Sequence, residues 1–181
     1  MRIAAMQPYL FPYFGFFKLI SSVDKFIIED DLKYIKGGYV NRNNFPKPFT
    51  FRLEKHSDYA LFNEIYFKDI EADKKEFVRK TGLSDRFLRP MQQNFNLSYN
   101  ITLTLQAICK ELGITTPFYF SSNIKHGKFA QGVIDMVKHL GGDTYVNLPG
   151  GKKLYNQSMF GDIKLEFIET TPGPSILCQL Q

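Results

Sequence analysis

Two loops near the start of the chain carry residue types that do chemistry. Gln7-Pro8-Tyr9-Leu10-Phe11-Pro12-Tyr13-Phe14-Gly15 sets an amide and two phenols between prolines that fix φ and a glycine that frees the backbone. Glu29-Asp30-Asp31 then puts three carboxylates in a row. Adjacent carboxylates repel unless a cation, a donor network or a proton relieves them. One of the three can therefore act as a general base or as a ligand for Mg²⁺, while capping of the next turn by one and solvation of the others is the plainer reading. Tyr34, Lys36, Asn41, Arg42 and Asn43 follow. The planar guanidinium of Arg42 suits two-point contact with phosphate or carboxylate, or a salt bridge to Asp30 or Asp31.

Two further clusters lie in the second half. Ser121, Ser122, His126 and Lys128 precede a predicted helix whose N-terminus would welcome an anion. His126 is there as a general base or as an ordinary surface histidine. Gly150-Gly151-Lys152-Lys153 either contacts a phosphate or forms an exposed turn. Gln7 and Tyr9 either orient an acceptor or hydrogen-bond structurally. Other chemistries lack their residues. Neither GxGxxG nor GxxxxGK[ST] occurs, so dinucleotide and P-loop readings fail. No Ser/His/Asp or Cys/His triad assembles, which argues against covalent hydrolase chemistry. Cys109 and Cys178 match no metal or CxxC spacing, and Cys109 reads as a buried, inert thiol.

These residues need a scaffold. At 181 residues, 44% hydrophobic and 23% charged, the chain has the composition of one globular domain. A net charge of +5 favours anionic partners, yet the basic residues form no block and no recognition helix or zinc-finger spacing appears, so nucleic acid is not expected. Its 18 Phe and 10 Tyr either replace aliphatic core residues or line a groove, densest at Tyr9, Phe11, Tyr13 and Phe14. The N-terminus does not read as a signal peptide, and no apolar run reaches the ~18 residues of a membrane span, so a cytoplasmic protein without a transmembrane segment is expected.

Apolar periodicity predicts a strand over Met1–Met6, a helix over 16–22 and a strand over Lys25–Ile28, the start of a βαβ unit. Pro46 and Pro48 break the extended stretch between Asn41 and Tyr66, and Phe49–Leu53 alternates as a half-exposed strand does. A helix is predicted over Lys74–Lys80, ended by Gly82, with a second short helix over 84–94. The next, Leu97 to Leu112, puts Leu103, Ile108, Cys109 and Leu112 on one stripe and stops at Gly113. A strand over Phe118–Phe120 precedes a helix over Lys128–Leu140, with Phe129, Val133, Met136, Val137 and Leu140 on one face. Strands over Asp143–Asn147 and Ile163–Ile168 close the pattern. The expected fold is α/β, a mostly parallel sheet with flanking helices, nucleotidyltransferase-like or Rossmann-like. It is expected as a single domain over 1–181 with a helical or mixed insertion at about 44–96. Ligands of such sheets bind beyond the C-terminal strand ends, where Gln7–Gly15, Glu29–Asn44, Ser121–Lys128 and Leu148–Tyr155 should converge.

The opening resembles the strand–loop–helix of nucleotidyltransferase-like domains. Those enzymes carry paired histidines where this chain has Tyr13-Phe-Gly-Phe16, so that resemblance extends to the fold alone. A longer resemblance is to the WbqC-like family. It rests on Gln7–Gly15, Phe26–Asp31, Lys36–Asn43, Leu112–Thr116 with Ser121-Ser122, Asp143–Tyr145 and Pro149–Tyr155. It implies a cytoplasmic role in making sugar precursors of bacterial O-antigen or other surface polysaccharide, with glycyl or aminoacyl transfer to an amino sugar as the activity. Residues and resemblance together nominate Asp30, Asp31 and His126 as catalytic. They nominate Gln7, Pro8, Tyr9, Tyr34, Lys36, Asn41, Arg42, Asn43, Ser121, Ser122, Gly150, Gly151 and Tyr155 as substrate-binding. The partner implied is a sugar or nucleotide sugar, taken as substrate rather than cofactor, with Mg²⁺ and a homo-oligomer left open. Relatives tend to continue past the last strand with a longer tail than Thr171–Gln181, and a site or dimer completed by that tail would be partial here. The alternatives are a non-catalytic binding or assembly partner in the same pathway, and a nucleotide-using ligase or nucleotidyltransferase-like enzyme.

Overall fold

The computed structural model describes residues 1–45 and 47–180, so Pro46 and Gln181 lie outside the described residues. In chain order the elements are β1 (Arg2–Met6), α1 (Phe14–Ser21), β2 (Lys25–Ile28), β3 (Arg42–Phe45), β4 (Lys47–Thr50), α2 (Ile70–Thr81), α3 (Leu97–Glu111), β5 (Phe118–Phe120), α4 (Phe129–His139), β6 (Thr144–Asn147) and β7 (Lys164–Phe167). The chain divides into two compact units.

The first unit comprises Met1–Gln7, Gly15–Glu29 and Ile114–Pro172. Its five strands are all parallel, in the order β5-β2-β1-β6-β7. Ile3, Ala4 and Ala5 of the central β1 are buried on both faces, as a parallel sheet covered by helices requires. On one face Ile3, Ala5 and Ile27 meet Val133, Ile134, Met136 and Val137 of α4, with Tyr145, Phe160 and Ile163. Phe16 of α1 stands 5.6 Å from Phe26, which stands 5.5 Å from Phe118. Each fully buried large side chain contributes roughly 1.5–3 kcal/mol before conformational entropy is subtracted. Phe129 corrects the predicted apolar face of α4. It is 90% exposed with φ of 55°, a left-handed start that turns it away from the stripe.

The second unit comprises Pro8–Phe14, Asp30–Gly113 and Gly173–Gln181. Strands β3 and β4 form an antiparallel pair. Asp69 caps α2 by accepting the Ala72 N–H at 2.9 Å, and Gly82, at φ of 73°, ends it in the left-handed region. Asn96 caps α3 in the same way through the Tyr99 N–H. The buried stripe of α3 is Leu97, Ile101, Leu105 and Ile108, with Leu103 and Leu112 on its flanks rather than in it. Residues 84–94 form turns, not the predicted short helix. Pro90 lacks the N–H a helix interior needs, and Asn100 pins the turn instead, bonding the Gln92 N–H and the Gln92 and Phe95 carbonyls. Phenylalanines fill the core here. Phe11, Phe49 and Phe51 all pack on Phe77 with ring centroids 5.5 to 6.0 Å apart.

Candidate functional site

The chain leaves β1 toward β2 and β5 on one side, then returns to build β6 and β7 on the other. Loops after β1 and β6 therefore depart in opposite directions, and the crevice between them is where an open parallel sheet accepts a ligand. Gln7 follows β1. Asn147 ends β6, and the Pro149–Lys153 turn and Tyr155 come next. Glu29 follows β2 and donates its N–H to the Met6 carbonyl at 3.0 Å, fixing it beside the β1 end.

The floor of this edge is closely built. Asn147 is buried; its Nδ2 donates to Tyr145 Oη at 3.1 Å, and its Oδ1 accepts the Leu148 N–H at 2.7 Å. Tyr145 Oη donates in turn to the Ala5 carbonyl at 3.3 Å. A Cβ on Gly151 would come within 2.6 Å of Asn147 Nδ2 and 3.3 Å of Phe167, so the turn can lie on the amide only because residue 151 has no side chain. The Tyr145 ring stacks on Phe160 at 5.5 Å, and Tyr155 meets both edge-on. Burial, and after it the Glu29 charge, pushes both the Tyr145 and Tyr155 phenols up. The half-exposed Tyr155 is thus a neutral hydroxyl donor at physiological pH, near a carboxylate able to take a proton. Tyr145 and Asn147 are absent from the sequence-derived site, and of the three adjacent carboxylates that reading favoured Asp30 and Asp31 over Glu29.

Ser121, Ser122 and His126 lie after β5, the strand at the sheet's outer edge. Ser121 is buried and its carbonyl accepts the Ile124 N–H. His126 Nδ1 lies 2.8 Å from the Gly127 carbonyl, while Asp135 accepts the Gly127 N–H and the Gln131 amide. Those bonds, more than the nearby His126, hold the Asp135 carboxyl low.

The remaining nominated residues belong to the second unit. Pro8 is buried, and desolvation, with Tyr13 adding, pushes the Tyr9 phenol up. Asn41 accepts the Tyr34 hydroxyl at 2.9 Å and donates to the Phe51 carbonyl at 2.7 Å. Asn43 donates to the Leu10 and Phe11 carbonyls at 3.1 and 2.9 Å. Both amides thus build the loops that carry their neighbours. Asp30 is buried, with Asn63 Nδ2 at 3.5 Å, and Asp31 is half-buried. Lys36 pairs with Asp58, and Arg42 donates to the Gly37 and Gly38 carbonyls rather than presenting those N–H groups outward. Burial raises the Tyr34 phenol, against the Arg42 and Lys36 charges. A recess of about 180 Å³ lies between Tyr39, Arg42 and Thr50, and grooves of about 570 and 490 Å³ flank the Arg86–Glu111 ion pair. Among the described residues no three His, Cys, Asp or Glu side chains gather as a cation site would require. No helix among them is long and apolar enough to cross a membrane.

The model of the WbqC-like protein family matches residues 7–83 and 73–175. The chain is 24% identical over 188 residues to "Uncharacterized protein Rv1507c" of Mycobacterium tuberculosis, an alignment spanning 91% of this chain and 79% of that protein. No solved structure matches.

Proposed function

The chain belongs to the WbqC-like protein family, and we propose that it is a cytoplasmic transferase acting on sugar precursors of bacterial O-antigen or other surface polysaccharide. The reaction is transfer of an aminoacyl group, glycyl in the simplest form, from an activated ester to the amine of a nucleotide-linked amino sugar. The observation that supports this reading is the gathering of Gln7, Glu29, Gly150, Gly151 and Tyr155 at the C-terminal strand ends of one parallel sheet, beside the reversal of strand order between β1 and β6.

In this reading Gln7 orients the acceptor and the exposed Lys152-Lys153 turn faces the diphosphate. The sugar amine attacks the acyl carbon. A C–N bond forms, and the bond to the ester oxygen breaks with its electron pair leaving on that oxygen. Glu29 takes the proton lost by the nitrogen, and the Tyr155 hydroxyl donates to the developing oxyanion. Calorimetric titration with UDP-glucosamine, and mass spectrometry of that sugar incubated with an aminoacyl ester, test the proposal. Saturable binding is expected, retained in Glu29→Gln, with turnover falling about 100-fold in that variant. Full turnover without the Glu29 carboxylate overturns the mechanism. Indifference to nucleotide sugars overturns the enzyme in favour of a non-catalytic assembly partner.

A further inference from the structure

Within the second unit, segments 32–38 and 56–62 run antiparallel and are laced together. Tyr34 N–H donates to the Ala60 carbonyl at 3.0 Å, Phe62 N–H donates to the Leu32 carbonyl at 3.1 Å, and Lys33 bridges to Leu61. The buried face of this pair is aromatic, with Tyr34 against Phe62 and His56. These segments and the turn after them also expose apolar side chains, which loops facing only water do not need. Ile35 is 67% exposed, Tyr39 60% and Tyr59 81%, and Leu32 is exposed beside them. Each ring is matched with a cation: Lys33 Nζ lies 4.7 Å from the Tyr59 centroid, and the Arg42 guanidinium lies 5.7 Å from that of Tyr39. In segments 32–42 and 55–61 the cations Lys33, Lys36, Arg42 and Lys55 stand against the single carboxylate Asp58.

Amphipathic rings, an exposed branched aliphatic side chain and an excess of Lys and Arg in the same segments are the composition of a membrane–water interface. We infer that this face docks on an anionic lipid bilayer, with Ile35, Tyr39 and Tyr59 entering the headgroup layer, Lys33 and the Arg42 N–H groups not spent on Gly37 and Gly38 meeting lipid phosphates, and Lys36 exchanging its Asp58 partner for lipid. Charge complementarity selects that occupant. A protein partner of ordinary interface composition would call for few lysines at the centre of the patch, and here Lys33 and Lys36 bracket Ile35. The inference stands independently of the transferase reading, and its failure leaves that reading intact.

Flotation of the whole protein with vesicles tests it. Binding is expected to phosphatidylcholine vesicles containing about 30 mol% phosphatidylglycerol, and not to phosphatidylcholine alone. It should be lost near ~0.5 M salt, because the attraction acts within a Debye length. Lys33→Gln with Lys36→Gln should weaken binding roughly 30-fold. Tyr39→Ser with Tyr59→Ser should also release the protein. Phe129→Ser, an exposed aromatic of the other unit, should bind as wild type. Unchanged circular dichroism and melting temperature of these surface variants separate lost docking from lost folding. Vesicle binding that ignores the lysine and tyrosine changes, absence of vesicle binding at low salt, or capture by single-stranded oligonucleotide in place of anionic vesicles would each overturn the inference.

Discussion

Asn43 holds Phe11 in a left-handed turn: its Nδ2 donates to the Phe11 carbonyl at 2.9 Å, where Phe11 is fully buried with φ of 52°. A bulky side chain in that region costs of order 1–3 kcal/mol and persists only where its surroundings over-determine it. The second constraint comes from the far end of the chain. Ser175 Oγ donates to the same oxygen at 2.9 Å, and the Ile176 N–H donates to the Pro12 carbonyl. The tail and the β3 strand thus shape one loop, the one carrying Tyr9 and Tyr13.

Because both donors share one acceptor, their losses should not add. Asn43→Ala or Ser175→Ala alone leaves the Phe11 carbonyl with a partner, and each is expected to cost about 1 kcal/mol. Together they remove both of these donors from one oxygen, so the double variant should exceed the sum by roughly 1 kcal/mol. Urea denaturation of the four species measures this. Simple additivity would mean that the oxygen is satisfied elsewhere.

The two glycines after β6 differ sharply in surroundings. A Cβ at Gly150 meets nothing within 4 Å, whereas one at Gly151 meets the Asn147 amide at 2.6 Å. Gly150→Ala should therefore change stability by no more than about 0.5 kcal/mol. Gly151→Ala should cost about 1–3 kcal/mol through the displaced Asn147–Tyr145 bridge. Equal effects in chemical denaturation would contradict the close packing of that turn.

Acid stability should reflect carboxylates held low in the folded state. The Arg79 guanidinium lowers Glu76 from 4.5 to about 2, and Lys36, the N-terminal ammonium, Lys138 and Lys164 lower Asp58, Asp143, Asp162 and Glu166. A depressed folded value means that the unfolded chain binds more protons. The stabilisation is present above the ordinary carboxylate range and is lost as pH falls toward about 2. These groups are exposed or half-exposed, so ~1 M salt should blunt the fall. Melting temperatures across that window check both statements, and a salt-insensitive fall would point to buried groups instead.

At the alkaline end Cys109 should act in the opposite direction. Burial raises its thiol from 9.0 to about 12, so the folded state keeps a proton that the unfolded state releases. The stability this provides is present below 9.0 and is lost as pH rises toward about 12. Cys109→Ala should flatten the decline without abolishing it, since the Tyr145 phenol is raised too. An unchanged slope in pH-dependent denaturation would show that the thiol is not shielded.

Local signals made much of the scaffold legible. The apolar runs of β1 and β2 end at Gln7 and the acidic cluster, and Gly82 stops α2 because only a left-handed residue closes that turn. Phe129 was not legible, since its exposure follows from a tight turn. A Cβ on Gly132 would stand 2.5 Å from the Gly127 carbonyl, so the helix can start there only by an unusual backbone path. At the β1 and β6 strand ends, Gln7, Gly150, Gly151 and Tyr155 stood out by residue type in strand-end loops. Asn147 did not, and Glu29 stood out only as one of three adjacent carboxylates, because their places depend on β2 and β6 pairing on either side of β1, contacts that no local pattern encodes. Asn41 and Asn43 show the converse. An amide suited to a ligand is equally suited to a main-chain carbonyl, and only the fold decides.

The most direct test of the site is amide NMR of the labelled protein during titration with UDP-glucosamine. A ligand crevice between β1 and β6 predicts saturable shifts at Gln7, Glu29, Leu148, Gly150 and Gly151, diminished by Gln7→Ala. Saturable shifts confined to Lys33–Arg42 or to the groove beside Arg86 and Glu111, with the β1 and β6 ends silent, would contradict it.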